Sequence, residues 1–168
     1  WEAPYRLAIG GIRKGTLCAR GNAFLAAYYT HKKIPDRALS FLREAQAMAP
    51  LDPWVRIAEV LYQQRILRDR EKAEEILYEI VEEPPVSVLS RYLLTCIYIS
   101  KGEYDKAGDF FEPLVRSYPE QVQFRQIREA LSSTQEAAYF SPERARGILD
   151  LGVSFAAMRD YVMAEELC

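Results

Sequence analysis

Residues 101–119, KGEYDKAGDFFEPLVRSYP, place a small residue, Ala107, four before Phe111, seven before Leu114 and twelve before Pro119. The same order of small, large apolar, small or apolar, then proline occurs twice upstream. Ala38, Leu42, Ala45 and Pro50 form one copy, and Ala73, Leu77, Ile80 and Pro85 form another. Successive alanines are 35 and 34 residues apart, and so are the prolines. Self-similarity at a period of this length signals a repeat architecture, so it takes precedence over any single motif. Within each copy the apolar residues recur at three- and four-residue steps, which puts them on one face of a helix.

Upstream of each alanine lies a second apolar-periodic helix of about fourteen residues. Leu25, Ala26 and Tyr29 mark it in the first copy, Val60 and Leu61 in the second, and Leu94, Thr95 and Tyr98 in the third. The signal returns at Leu151, Gly152, Phe155, Tyr161 and Ala164. Two antiparallel helices joined by a tight turn approach closely only where small side chains meet, a role that fits Ala26, Ala38, Ala73, Ala107, Gly152 and Ala164. Tyr29, Tyr98, Leu42, Leu77 and Phe111 are placed to fill the space between neighbouring pairs. One pair cannot bury its apolar stripe alone, so pairs must stack. Asp52-Pro53-Trp54 reads as an N-cap followed by proline at the first helical position, and Ser141-Pro142-Glu143 repeats the device. The other prolines are expected between apolar stretches rather than inside helices. The extra residue of the second copy, with Ile80 at its last small position, predicts slightly splayed packing there.

This array resembles the tetratricopeptide repeat, including the turn KGEYDKA of Lys101 to Ala107, in which a glycine ends one helix just before the next begins. The resemblance implies an all-α, right-handed superhelical solenoid of stacked antiparallel helix pairs. Repeats are expected over 19–53, 54–87 and 88–121 and a truncated one over 145–168, within one domain spanning 1–168. Residues 1–18 read as the remnant of a preceding helix or linker, and 122–144 as a degenerate repeat or an inserted helix. In such an array the first helix of each pair lines a concave groove. The register then assigns to the groove Ala23, Ala27, Thr30 and His31, next Val55, Ala58, Tyr62 and Arg65, then Leu89, Tyr92, Cys96 and Ile99. An apolar groove of this kind suits a peptide or amphipathic helix of another protein. A subclass that clamps acidic chaperone tails needs lysines and asparagines where this chain has Ala23, Ala27, Glu59, Leu89 and Leu93, so that ligand is not expected.

The expected role is a protein-protein interaction scaffold, a piece of a larger assembly or secretion-complex subunit; the alternative is self-association through the apolar Ile148, Leu149, Val153 and Phe155 face. Trp1 at the start and Cys168 inside an apolar-periodic run also point to a piece of something longer. With 49% hydrophobic residues in 168, the chain has ample material for a core. No run approaches the roughly 18 to 20 apolar residues of a membrane span. Residues 1–50 hold eight Lys/Arg against three Asp/Glu, while the whole chain is at −2. That bias is compatible with a cytoplasmic module beside a membrane-anchored parent, with a periplasmic setting also open. Nucleic acid is not an expected partner, because no basic stripe interleaved with aromatics is present. His31 is the single histidine and Cys18, Cys96 and Cys168 are far apart. Neither a histidine metal cluster nor a CxxC site can form from them. No enzymatic constellation and no cofactor are therefore expected. Glu74, Glu75, Glu79, Glu82 and Glu83 read as a solvated outer helix face.

Overall fold

A computed structural model describes residues 18–84 and 86–120 and positions 124, 125, 128, 129 and 131. The described residues are helical and contain no strand. Six α-helices follow in order: α1 (Ala19–His31), α2 (Pro35–Met48), α3 (Pro53–Tyr62), α4 (Arg70–Ile80), α5 (Ser87–Lys101) and α6 (Tyr104–Ser117), with a π-helical turn, Gln63–Leu67, extending α3. The described residues divide into two compact units, one up to Val86 and one from Ser87 on. The N-terminal remnant, most of 122–144 and the whole of 145–168, with Ser141-Pro142-Glu143 and the apolar face at Ile148 to Phe155, lie outside the described residues.

In the first unit α1 packs on α2 and α3, and α3 packs on α2 and on α4. The contact depends on side-chain size at the crossings. Ala26, Ala38 and Ala73 are wholly inaccessible, and Leu42 and Leu77 fill the space around them at 3% and 0% exposure. Ile80, the bulky residue at a small position, is also buried. It ends a helix of 11 residues, against 14 for α2. The α3 start is as the sequence predicts: Asp52 Oδ1 accepts from the Trp54 N–H at 2.9 Å, with Pro53 in the first turn. Asp52 also accepts from Arg20 Nε of α1 at 2.9 Å, so one carboxylate caps one helix and holds the other. Asp69 caps α4 in the same way, accepting from the Lys72 N–H at 2.9 Å.

The second unit pairs α5 with α6. Ala107 and Phe111 are inaccessible, and Phe124 meets Phe111 and Tyr118 edge-on at 5.4 and 6.2 Å. Pro113 departs from the expectation that prolines fall outside helices, since it lies within α6. A proline there removes one in-helix N–H donor. Burial of Phe111, Leu114 and Val115 on the same turns keeps the helix running through it.

The three turns that join the first helix of a pair to its second, α1 to α2, α3 to α4 and α5 to α6, close by one device. A residue in the left-handed region, Lys33 (φ 58), Arg68 (φ 63) or Gly102 (φ 77), stands five before each key alanine. The next N–H then bonds back into the preceding helix, as in a Schellman closure. Ile34 N–H reaches the Tyr29 carbonyl and Glu103 N–H reaches that of Tyr98, five residues back; Asp69 N–H reaches Gln63, six back. The middle closure thus holds one residue more. This locates the extra residue of the second copy in the π turn. In the outer two turns the accepting tyrosine also stacks flat on a phenylalanine of the second helix: Tyr29 on Phe41 (5.6 Å, 3°) and Tyr98 on Phe110 (5.6 Å, 2°). A cation covers each ring, Arg37 at 5.5 Å and Lys106 at 5.3 Å. Gln63 offers no ring for such a clasp, and there the helix end widens to the π form.

Asp52→Ala should lower unfolding free energy by about 1–2 kcal/mol, since it removes a cap and the partner of Arg20 together. Glu75→Ala, on the exposed face of α4, should stay within about 0.5 kcal/mol; urea unfolding of both variants checks the contrast.

Candidate functional site

The first helices of the pairs, α1, α3 with its π turn, and α5, carry every residue the register assigns to a groove. In the first unit Ala23, Ala27, Thr30, Val55, Ala58 and Tyr62 are all buried, none more than 7% exposed. Ala23, Val55, Ala58 and Tyr62 share one apolar cluster with Leu25, Ala26, Tyr29, Ala38, Leu42 and Ala45. This part of the register is interior packing: α1 and α3 meet through it. In the second unit Tyr92 and Ile99 are likewise buried, at 7% and 5%, whereas Leu89 and Cys96 are half-buried.

Two register residues of the first unit reach solvent, and the fold brings them together. Arg65 Nη1 lies 3.1 Å from His31 Nδ1. A guanidinium can only donate, so a hydrogen bond here has Nδ1 as its acceptor. This contact links the end of α1 to the π turn and sets two polar heads beside the turns. The four accessible members of the register are therefore His31, Arg65, Leu89 and Cys96.

A feature the sequence reading did not single out lies on α6. Tyr104, Asp105, Gly108, Asp109, Phe111 and Glu112, with Arg128 and Leu131, line a shallow cleft of about 290 Å³. Asp105, Asp109 and Glu112 recur at helical steps of four and three, which was the available signal. Of the five glutamates expected on one outer helix face, Glu75 and Glu79 are exposed and Glu74 half-buried on α4, while Glu82 and Glu83 are exposed beyond its end at Ile80. Glu79 pairs with Arg56 of α3, and Glu75 with Lys72 at 2.8 Å. That hydrogen bond and charge raise the Lys72 pKa above its ordinary value. Among the described residues no three His, Cys, Asp or Glu side chains are grouped to hold a metal ion, and no helix is long and apolar enough to cross a membrane.

Tyr62→Ala should cost about 3 kcal/mol or more of stability, because it empties part of the α1/α3 packing. Arg65→Ala, three residues on but exposed, should cost less than about 0.5 kcal/mol; thermal and denaturant unfolding separate the two. Comparison with family models, with curated proteins and with solved structures finds no match for this chain.

Proposed function

We propose that this chain is a protein-holding scaffold of tetratricopeptide type, binding a peptide or amphipathic helix of a partner along the first helices of its pairs and carrying out no chemistry of its own. The observation that supports this reading is the threefold recurrence of one closure: a left-handed residue five before each of Ala38, Ala73 and Ala107, bonded back into the preceding helix. Pairs built by one rule present the same positions again and again. Arrays of such pairs characteristically act by offering those positions to an extended ligand.

The burial described above narrows the surface. A partner that follows the first helices has His31 and Arg65 to meet on the first unit, over a floor that includes Ala23, Val55, Ala58 and Tyr62, and on the second unit, taken by itself, Leu89 and Cys96. A half-buried leucine and thiol supply apolar anchoring. The imidazole and guanidinium supply hydrogen bonds. Assembly of a larger complex is the setting this reading suits.

Affinity capture from the native source should yield a partner whose binding to Leu89→Glu falls at least about tenfold, the loss of one buried apolar anchor. Glu75→Ala should leave that binding unchanged. Equal titration curves for the parent chain and Leu89→Glu would overturn the assignment of this face.

A further inference from the structure

The two turns of the first unit, residues 31–37 and 65–72, carry charge and apolar exposure that, His31 and Arg65 apart, the groove reading does not use. Lys32, Lys33 and Arg37 stand on the first turn and Arg65, Arg68, Arg70 and Lys72 on the second, against Asp36, Asp69 and Glu71. Lys72 is already paired with Glu75 at 2.8 Å, so six cations remain against three acids, an excess of +3 within fifteen residues, in a chain whose formal net charge is −2. The corresponding turn of the second unit, residues 100–106, has two of each sign. The His31–Arg65 contact at 3.1 Å makes the two basic turns neighbours and one surface.

Three further observations give this surface a binding character. Lys33 and Arg68 occupy left-handed backbone, where a residue with a Cβ is disfavoured and where the third turn has glycine. The fold thus holds two cations at turn apices against the local backbone preference. Lys32 and Arg37 are held by rings, Lys32 at 5.6 Å over Tyr28 and Arg37 at 5.5 Å over Tyr29, which fixes their heads in advance. Finally, Ile34 (41%) and Leu67 (55%), one on each turn, are among the few large apolar side chains exposed in the described residues. Ile34, as N-cap of α2, supplies no side-chain acceptor, which adds the positive end of that helix to the cations.

We propose that this turn edge is a second docking surface, for an acidic segment of a partner protein that carries apolar residues between its carboxylates. Its cations meet the acids, and Ile34 and Leu67 meet the apolar side chains. The carboxylates of Asp36 and Glu71 within the patch favour a polypeptide over an anionic lipid surface, because a peptide can turn an amide or a cation toward them and a uniform layer of headgroups cannot. Leu89 and Cys96 take no part in it and none of the residues varied below belongs to the groove register, so its test is distinct from that of the groove.

The test titrates the chain with a short fluorescein-labelled peptide of glutamate and aspartate carrying two leucines. Binding measured by anisotropy should weaken as salt rises and fall about tenfold or more in Lys33→Glu/Arg68→Glu, as expected on reversing charges at a complementary interface. Ile34→Ser/Leu67→Ser should also weaken it. Lys33→Gly/Arg68→Gly is decisive, since it relieves the left-handed backbone: the melting temperature should rise while affinity drops. Loss of binding in a stabilised variant cannot be a folding defect. Peptide affinity unchanged in these variants, or no binding at low salt, overturns the proposal. So does binding to phosphatidylserine-containing vesicles with none to the peptide, or sedimentation showing that the edge is covered by a second copy of the chain.

Discussion

The closeness of approach between paired helices is the constraint on which the rest depends. Ala38, Ala73 and Ala107 have no accessible surface, and each stands where a second helix crosses the first. A methyl group is the largest side chain such a contact accepts without pushing the backbones apart. Once the helices lie this near, the turn between them must be short, and a short turn needs left-handed backbone. Positive φ at Lys33, Arg68 and Gly102 therefore follows from the alanines, not from a local preference of lysine or arginine. The large residues Leu42, Leu77 and Phe111 then fill the wedge that remains beside each crossing.

The spacing of small and large residues made the helix pairs legible, because side-chain volume at a crossing is written directly in residue type. The cap at Asp52 was legible for a similar reason: its carboxylate acts on an N–H two residues away. Features that depend on what lies across an interface were not. Ala23, Val55, Ala58 and Tyr62 lie on the helix face that the register assigns to a groove, yet face alone cannot tell a lining from a core. Their burial is decided by how α1 and α3 rotate against each other. Lysine and arginine give no warning of left-handed backbone, and Pro113 gives a wrong one, since its neighbours Phe111, Leu114 and Val115 keep the helix intact. The aromatic clasps, Tyr29 on Phe41 and Tyr98 on Phe110, were readable in principle as a tyrosine twelve residues before a phenylalanine.

Charge in the first unit is sorted by position. The outer face of α4 exposes Glu75 and Glu79, and the segment just after it Glu82 and Glu83, while the turns expose lysines and arginines. Near-neutral total charge conceals this separation. Opposed fields on one small body orient a charged partner before contact.

The π turn at Gln63–Leu67 bears on how this kind of chain tolerates changes in length. From Ala38 to Gln63, whose carbonyl accepts the closing bond, is 25 residues, and from Ala73 to Tyr98, the next such acceptor, is again 25. The added residue of the middle pair has left both intervals untouched. An insertion inside a helix ordinarily rotates everything after it by about 100°, turning core positions toward water. Here the surplus is wound into a single wider turn at the helix end, and α4 resumes in step, with Ala73 inaccessible as Ala38 and Ala107 are. The closure works as a joint that takes up slack, so an error in spacing at one pair need not propagate to the next.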